Sequence, residues 1–224
     1  MLLLLGGSGM RFGSNLPKQF HLVANEPLFK ATCRSLCALP FRYIVLVVNE
    51  NYIAEKIFTN ALQELTLEFP SSQFIATTGG NTRHLSFLNG LKELKKITGT
   101  SSHIAVHDAN RPFISESFIE NIRIAFNELG ETAHAAVPVI PVTDSILQKY
   151  ENEEVQYPDR SSLFAVQTPQ LLFLPAFENR LQTLNEDNYT DEGSMALALG
   201  LKVFTFEGDP GNVKITYPSD LKPS

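Results

Sequence analysis

The chain has 224 residues, 43% of them hydrophobic, enough to bury a full core and near the upper size of one domain. A formal net charge of −6 argues against a broad basic face for nucleic acid or for an anionic membrane, so any polyanion must meet a local cluster of cations. Two cysteines, Cys33 and Cys37, with no further Cys or His at zinc spacing, indicate neither a disulfide framework nor a structural metal and read as two small hydrophobes on one helix face.

MLLLL is too short for a signal segment, and no run approaches the ~18 apolar residues of a membrane span. Leu2 to Leu5 reads as a strand, PLFKATCRSLCAL as a helix, YIVLVV as a strand and Ile53 to Glu68 as a helix. FIATT, a strand, precedes the helix NTRHLSFLNGLKELKK; HIAVHD, a strand, precedes ESFIENIRIAFNELG, a helix ended by a glycine; and HAAVPVI is again a strand. Short β-rich runs alternating with helices predict an α/β fold, a doubly wound and mostly parallel sheet covered on both faces. After Ile140 the rhythm changes: TDSILQKY and VQYP flank the polar ENEE, a hairpin too thin to bury a core alone. Such an arm, at about residues 141–160 of a single domain spanning 1–224, packs on something else, and a second subunit is the expected partner. LFAVQTPQ resumes the strand pattern, LPAFENRLQTLN and DEGSMALALG read as helices, and KVFTFEG and NVKITY as extended structure.

The polar motifs follow strands. In an open parallel sheet, ligands collect beyond the carboxyl ends of the strands, which directs attention to four loops at one edge. In GGSGMRFGSNLPK, Gly6, Gly7 and Gly9 let backbone N–H groups approach an anion closely. The loop is neither a Walker A sequence, since no GK[ST] follows, nor GxGxxG, since the third glycine falls at 13. Arg11 can hold phosphate oxygens bidentately, and Lys18, after Pro17, can supply a point charge. In VHDANRPF, Asp108 ends a strand with Arg111 three residues on; a carboxylate there can bind Mg²⁺ or cap the next segment. His107 reads as a satisfied structural histidine. In GGNTRHLS, Gly79, Gly80 and Asn81 precede a helix bearing Arg83 and Ser86, and Asn81 with Ser86 either reads a nucleobase edge or caps the helix. Thr190 in NYTDEGS is a plausible helix cap, and Lys214 in GNVKIT sits in an extended run between Val213 and Ile215, where a lysine also serves as edge protection.

On the stretches GGSGMRFGSNLPKQF, GGNTRHLS, VHDANRPF, PVTDSI, DRSSLFAVQTPQ, TDEGSMAL and GNVKIT, the chain closely resembles the 2-C-methyl-D-erythritol 4-phosphate cytidylyltransferases over nearly its whole length. The resemblance implies a Rossmann-like domain with a β-hairpin arm that pairs two subunits. It implies transfer of CMP from CTP to the phosphate of methylerythritol phosphate, a step of isoprenoid precursor synthesis, in a bacterial cytoplasm. By this similarity Leu5, Gly6, Gly7, Ser8, Gly9 and Ala109 contact the nucleotide and Gly80, Asn81 and Ser86 read cytosine. Arg11 and Lys18 stabilise charge on the triphosphate. Asp108 binds Mg²⁺; Arg111, Ser145 and Thr190 hold the sugar-alcohol phosphate; Lys214 positions it; and Arg160, on the arm, enters the partner subunit's site. Two departures stand out: Ser145 where threonine is usual, and Asn81 where some relatives carry an acidic residue. Ribitol-5-phosphate cytidylyltransferase, which shares the glycine loop and QTPQ, and a catalytically silent nucleotide-binding regulator are the alternative readings.

Overall fold

The structure, a computed structural model, describes residues 1–6, 16–99, 103–178, 180–181 and 189–221. Its elements follow the alternation of the sequence. Strand β1 (Leu2–Leu4) is followed by a small ribbon, β2 (Leu22–Val23) against β3 (Glu26–Pro27), and by α1 (Leu28–Leu36), β4 (Tyr43–Val48), α2 (Lys56–Glu68), β5 (Gln73–Thr78), α3 (Arg83–Thr98), β6 (His103–Asp108) and α4 (Glu116–Glu128). The second half holds β7 (Ala135–Pro141), β8 (Gln148–Lys149), β9 (Val155–Gln156), β10 (Phe164–Val166), β11 (Gln170–Phe173), α5 (Leu174–Phe177), α6 (Glu192–Ala198) and β12 (Val203–Glu207).

The sheet runs β5-β4-β1-β6-β11-β7, with β10 continuing β11's flank of β7 and β12 pairing with β7. Strands β5, β4, β1 and β6 pair in parallel, as does β12 with β7; β11 is antiparallel to both β6 and β7, so β7 keeps the common direction. The alternation of strand side chains sorts the core into two layers. Leu3, Leu5, Ile44, Leu46, Val48 and Ala105 pack under α1, α2 and α4, whereas Leu2, Leu4, Val45, Val47, Ile104 and Val106 pack under α3, α5 and α6. Both faces of the central strands are therefore buried, which is why these segments read as continuous apolar runs without polar alternation.

The order reverses at β1. From that strand the sheet grows through β4 to β5 on one side and through β6 on the other. The crevice beyond the ends of β1 and β6 is thus the switch point at which a doubly wound sheet holds ligands.

Several expectations are corrected at this level. Helix α4 is not stopped by Gly130: Leu129 already takes extended backbone at the C-cap (φ −72°, ψ 135°). Helix α6 is capped by Asp191, not Thr190, through a reciprocal box with Ser194. The helix expected over LPAFENRLQTLN is the single turn α5 within the described residues; Asn179 and residues 182–185 of that stretch lie outside them. The run NVKITY forms no ladder, so Lys214 is not a strand residue. The hairpin is present, as two-residue strands β8 and β9 paired antiparallel.

Candidate active site

The switch-point crevice is lined by Leu5 and Gly6 at the end of β1, Lys18 and Gln19, the turn Gly80–Arg83, Ser86, the β6 end Asp108 and Ala109 with Asn110, and Lys214. Nine residues expected from sequence therefore share one cleft: Leu5, Gly6, Lys18, Gly80, Asn81, Ser86, Asp108, Ala109 and Lys214. Gly7, Ser8, Gly9 and Arg11 lie outside the described residues.

Lys18 is delivered by a buried anchor. Pro17 (φ −56°, ψ 142°) leads into a single 3-10 turn, Lys18–Phe20. Gln19 Nε2 donates to the Leu5 carbonyl (2.6 Å), tying the turn to the end of β1. Phe20 is buried between Phe29 (5.5 Å between ring centroids) and Tyr52 (5.1 Å). Aromatic packing of this kind fixes the backbone and leaves the lysine at the rim.

The turn before α3 needs its glycine at 80. A Cβ there would stand 2.3 Å from Leu85 Cβ and 3.1 Å from the Leu85 carbonyl carbon. Thr82, rather than Asn81, caps α3 by accepting from Leu85 N–H (3.1 Å). Ser86 is buried; its hydroxyl accepts from Gly80 N–H (3.1 Å) and donates to the Thr82 carbonyl (2.9 Å), so it shapes the turn.

Asp108 sits at the centre. Its Oδ2 accepts from Lys214 Nζ (2.7 Å) and its Oδ1 from Arg83 Nη2 (3.3 Å). Burial alone would raise its pKa, but Arg83 and then Lys214 outweigh it and hold the carboxyl well below the usual carboxylate range. Arg83 in turn grips Glu192, the first residue of α6, bidentately (Nη1–Oε1 2.6 Å, Nη2–Oε2 2.9 Å). Burial opposes the Arg83 charge, yet Glu192 and Asp108 raise its pKa above the ordinary value. Glu192 is buried beneath the cleft, and burial pushes its carboxyl up while Arg83 pulls it back. Helix α6 comes close enough for this contact because residue 193 is glycine: a Cβ there would lie 2.7 Å from Val137 Cγ2.

Lys214 rides on a segment braced from three sides. Ile215 N–H donates to the Asn110 carbonyl (2.9 Å), and Asn110 Nδ2 returns a bond to the Ile215 carbonyl (2.7 Å). Asn212 Nδ2 donates to the Thr168 carbonyl (2.8 Å), and Gln167 bonds both the N–H and the carbonyl of Asp209. Arg111 completes the brace: its Nη1 donates to the Asn212 carbonyl (2.7 Å), and burial lowers its pKa. The guanidinium expected to hold a substrate phosphate is therefore committed to backbone carbonyls. His107 is buried, with Nε2 on the Arg111 carbonyl (3.1 Å) and Nδ1 on Thr168 Oγ1 (3.0 Å), and burial lowers its pKa to about 4, as suits a neutral structural histidine. Ser145, Arg160 and Thr190 do not line this cleft; Arg160 is exposed and donates to the Thr143 carbonyl (3.0 Å).

Sequence reasoning noted Arg83 without giving it a role and passed over Glu192, Asn110, Gln167 and Asn212. Each sat inside a quoted motif. The signal for Arg83 and Glu192 was an opposite charge at the first residue of each of two helices, and pairing them required the fold.

An α/β sheet whose switch-point cleft gathers Lys18, Arg83 and Lys214 around one carboxylate is suited to an anionic ligand. The family model described as 2-C-methyl-D-erythritol 4-phosphate cytidylyltransferase matches residues 1–224, and the chain belongs to that family. It is 35% identical over 226 residues to the bifunctional enzyme IspD/IspF of Rhodopseudomonas palustris (strain BisA53), covering 98% of this chain and 53% of that enzyme. The chain thus spans about half the length of its bifunctional relatives. With the 2-C-methyl-D-erythritol 4-phosphate cytidylyltransferase of Carboxydothermus hydrogenoformans it shares 33% identity over 99% of this chain and 91% of the relative. The fold is that of the 4-diphosphocytidyl-2C-methyl-D-erythritol synthase of Anaerococcus prevotii (TM-score 0.76, 22% identity, 98% of this chain and 93% of that one).

Proposed function

We propose that this chain transfers CMP from CTP to 2-C-methyl-D-erythritol 4-phosphate, releasing pyrophosphate and giving 4-diphosphocytidyl-2-C-methyl-D-erythritol. The observation that carries this reading is the convergence of Lys18, Lys214 and Asp108 on the switch-point cleft of a chain from this family. A phosphate oxygen of the acceptor attacks the α-phosphorus of CTP, the bond from that phosphorus to the bridging oxygen breaks, and pyrophosphate leaves with the electron pair. A phosphate monoester has a second pKa near 6, so the nucleophile is already a dianion at neutral pH and needs no base. What the protein must supply is alignment of two mutually repelling anions and stabilisation of the charge that builds on the departing phosphates.

In this reading Lys18, with Arg11, faces the triphosphate, and Lys214 faces the acceptor phosphate. The turn at Gly80 and Asn81, shaped by Ser86, receives cytosine. Asp108 is the one acidic side chain among the described residues of the cleft, and those residues hold no cluster of three or more metal-ligating side chains. That donor set suits Mg²⁺, which takes one or two carboxylates and draws the rest of its shell from phosphates and water. Held by Asp108, such an ion would supply positive charge to offset that of the phosphates. Arg111, Ser145 and Thr190 stand outside the cleft, so the reading gives Arg111 a bracing role and leaves acceptor binding by Ser145 and Thr190 to a rearrangement.

The arm carries exposed Ile146, Leu147, Tyr150, Val155 and Tyr157, a surface suited to pairing with a second copy, which would bring Arg160 to the partner's cleft. Among the described residues no helix is long and apolar enough to cross a membrane, in keeping with a bacterial cytoplasmic enzyme. The test is pyrophosphate release from CTP, coupled to a colorimetric readout, with methylerythritol phosphate and ribitol 5-phosphate as rival acceptors. Turnover with the first supports the assignment; turnover only with ribitol 5-phosphate replaces the substrate; CTP binding without pyrophosphate release from either marks a silent module.

A further inference from the structure

The two cations on Asp108 are held very differently. Arg83 makes one bond to Asp108 and two to Glu192, whose side chain is 2% exposed. Among the described residues Lys214 makes its ion pair to Asp108 alone, from a side chain that is 47% exposed. If Arg83 left, Glu192 would become an unpaired buried charge, which is strongly unfavourable, whereas water can solvate Lys214 at once. Drawing the lysine off toward an entering anion would therefore cost less than drawing off the arginine.

We propose that Glu192 is a positioning residue: by gripping Arg83 it makes Arg83 the permanent partner of Asp108, and leaves Lys214 as the partner that moves to phosphate when substrate arrives. This rests on the functional reading above for the identity of the phosphates, though not for the geometry. Without Glu192, Arg83 is free to close fully on Asp108 or to turn toward the ligand, and the carboxylate loses its fixed place. Since a misplacement of about 1 Å can cost roughly 100-fold in rate, the effect belongs in turnover more than in binding.

The test uses the full chain as Glu192→Gln, Glu192→Asp, Arg83→Met and the double variant Arg83→Met/Glu192→Gln, with rates normalised to the folded fraction from urea unfolding. Glu192→Gln should lower kcat by about tenfold to 100-fold with KM for CTP within about threefold, and Glu192→Asp, which keeps the charge at shorter reach, should lose less. The double variant should be no slower than Arg83→Met, because one residue acts through the other. A merely structural glutamate would lower the folded fraction and spare kcat per folded molecule. Full kcat in Glu192→Gln, or losses that multiply in the double variant, would overturn the proposal. A second arm needs no turnover: in a crystal structure with CTP and Mg²⁺, Arg83 should remain on Glu192 while Lys214 Nζ has left Asp108. Arg83 leaving Glu192 would refute the inference even if the enzyme is active. A wild type inactive with every acceptor would remove the functional reading, and this structural arm alone would then decide.

Discussion

His107 shows how a single side chain ties the site to solution conditions. Its ring lies between the Arg111 carbonyl and Thr168, whose hydroxyl oxygen also accepts from Asp108 N–H (3.2 Å). That geometry suits a neutral imidazole donating from Nε2. With its folded pKa lowered to about 4 against an ordinary value of 6.5, the unfolded chain binds more protons between these limits, so stability falls as pH drops through that window and is complete above it. The gap amounts to about 3 kcal/mol. Urea midpoints measured from pH 7 down to pH 4 should fall steeply in the wild type and more shallowly in His107→Gln; parallel slopes would show that other groups carry the acid sensitivity. The structural role of His107 was legible in the sequence, because no second histidine or cysteine stood at ligand spacing. The role of Arg111 was not, since an arginine near a strand end looks the same whether it faces ligand or carbonyl oxygens.

At the scale of elements, the strands and most helices were legible because both faces of the central strands are buried and their runs are apolar throughout. The misreadings have physical causes. NVKIT alternates as a strand does, but its hydrogen bonds go to Asn110 and to the turn at Asp209 instead of a ladder. Strand β11 went unseen as a separate element because LFAVQTPQ reads as one extended run; the bend at Thr168 and Pro169 divides it, and both pieces pair antiparallel with β7 while β11 alone also reaches β6. The approach of α3 to its turn provides a test. Gly80→Ala would drive a methyl group into Leu85, and the first turn of α3 must shift. The expected result is a loss of about 1–3 kcal/mol in stability, measured by urea unfolding, together with a CTP affinity in calorimetry that falls by more than that loss explains. Unchanged CTP affinity would place the nucleotide base elsewhere.

For the whole molecule, a chain of formal charge −6 gathers Lys18, Arg83 and Lys214 at one crevice and balances two of them with Asp108 and Glu192. The balance means that the cleft is preorganised without being strongly cationic at rest. Its arm, by contrast, projects apolar side chains away from either core layer, and the proposed pairing makes a definite claim. Lys18→Ala and Arg160→Ala subunits should each be nearly inactive alone, and verified heterodimers of the two should regain a fraction of wild-type turnover, since one site per dimer would carry neither change. No recovery in such heterodimers would rule out an arginine supplied across the interface.

The bracing of Lys214 against Asn110 has a further consequence for the order of assembly. The crevice is built from the first strand, a central strand and a segment near the far end of the described chain. Contacts between stretches so distant in sequence close late. During refolding, helices and sheet will be established before the molecule can retain a nucleotide, and ligand capture will report the final docking event, not the collapse that precedes it.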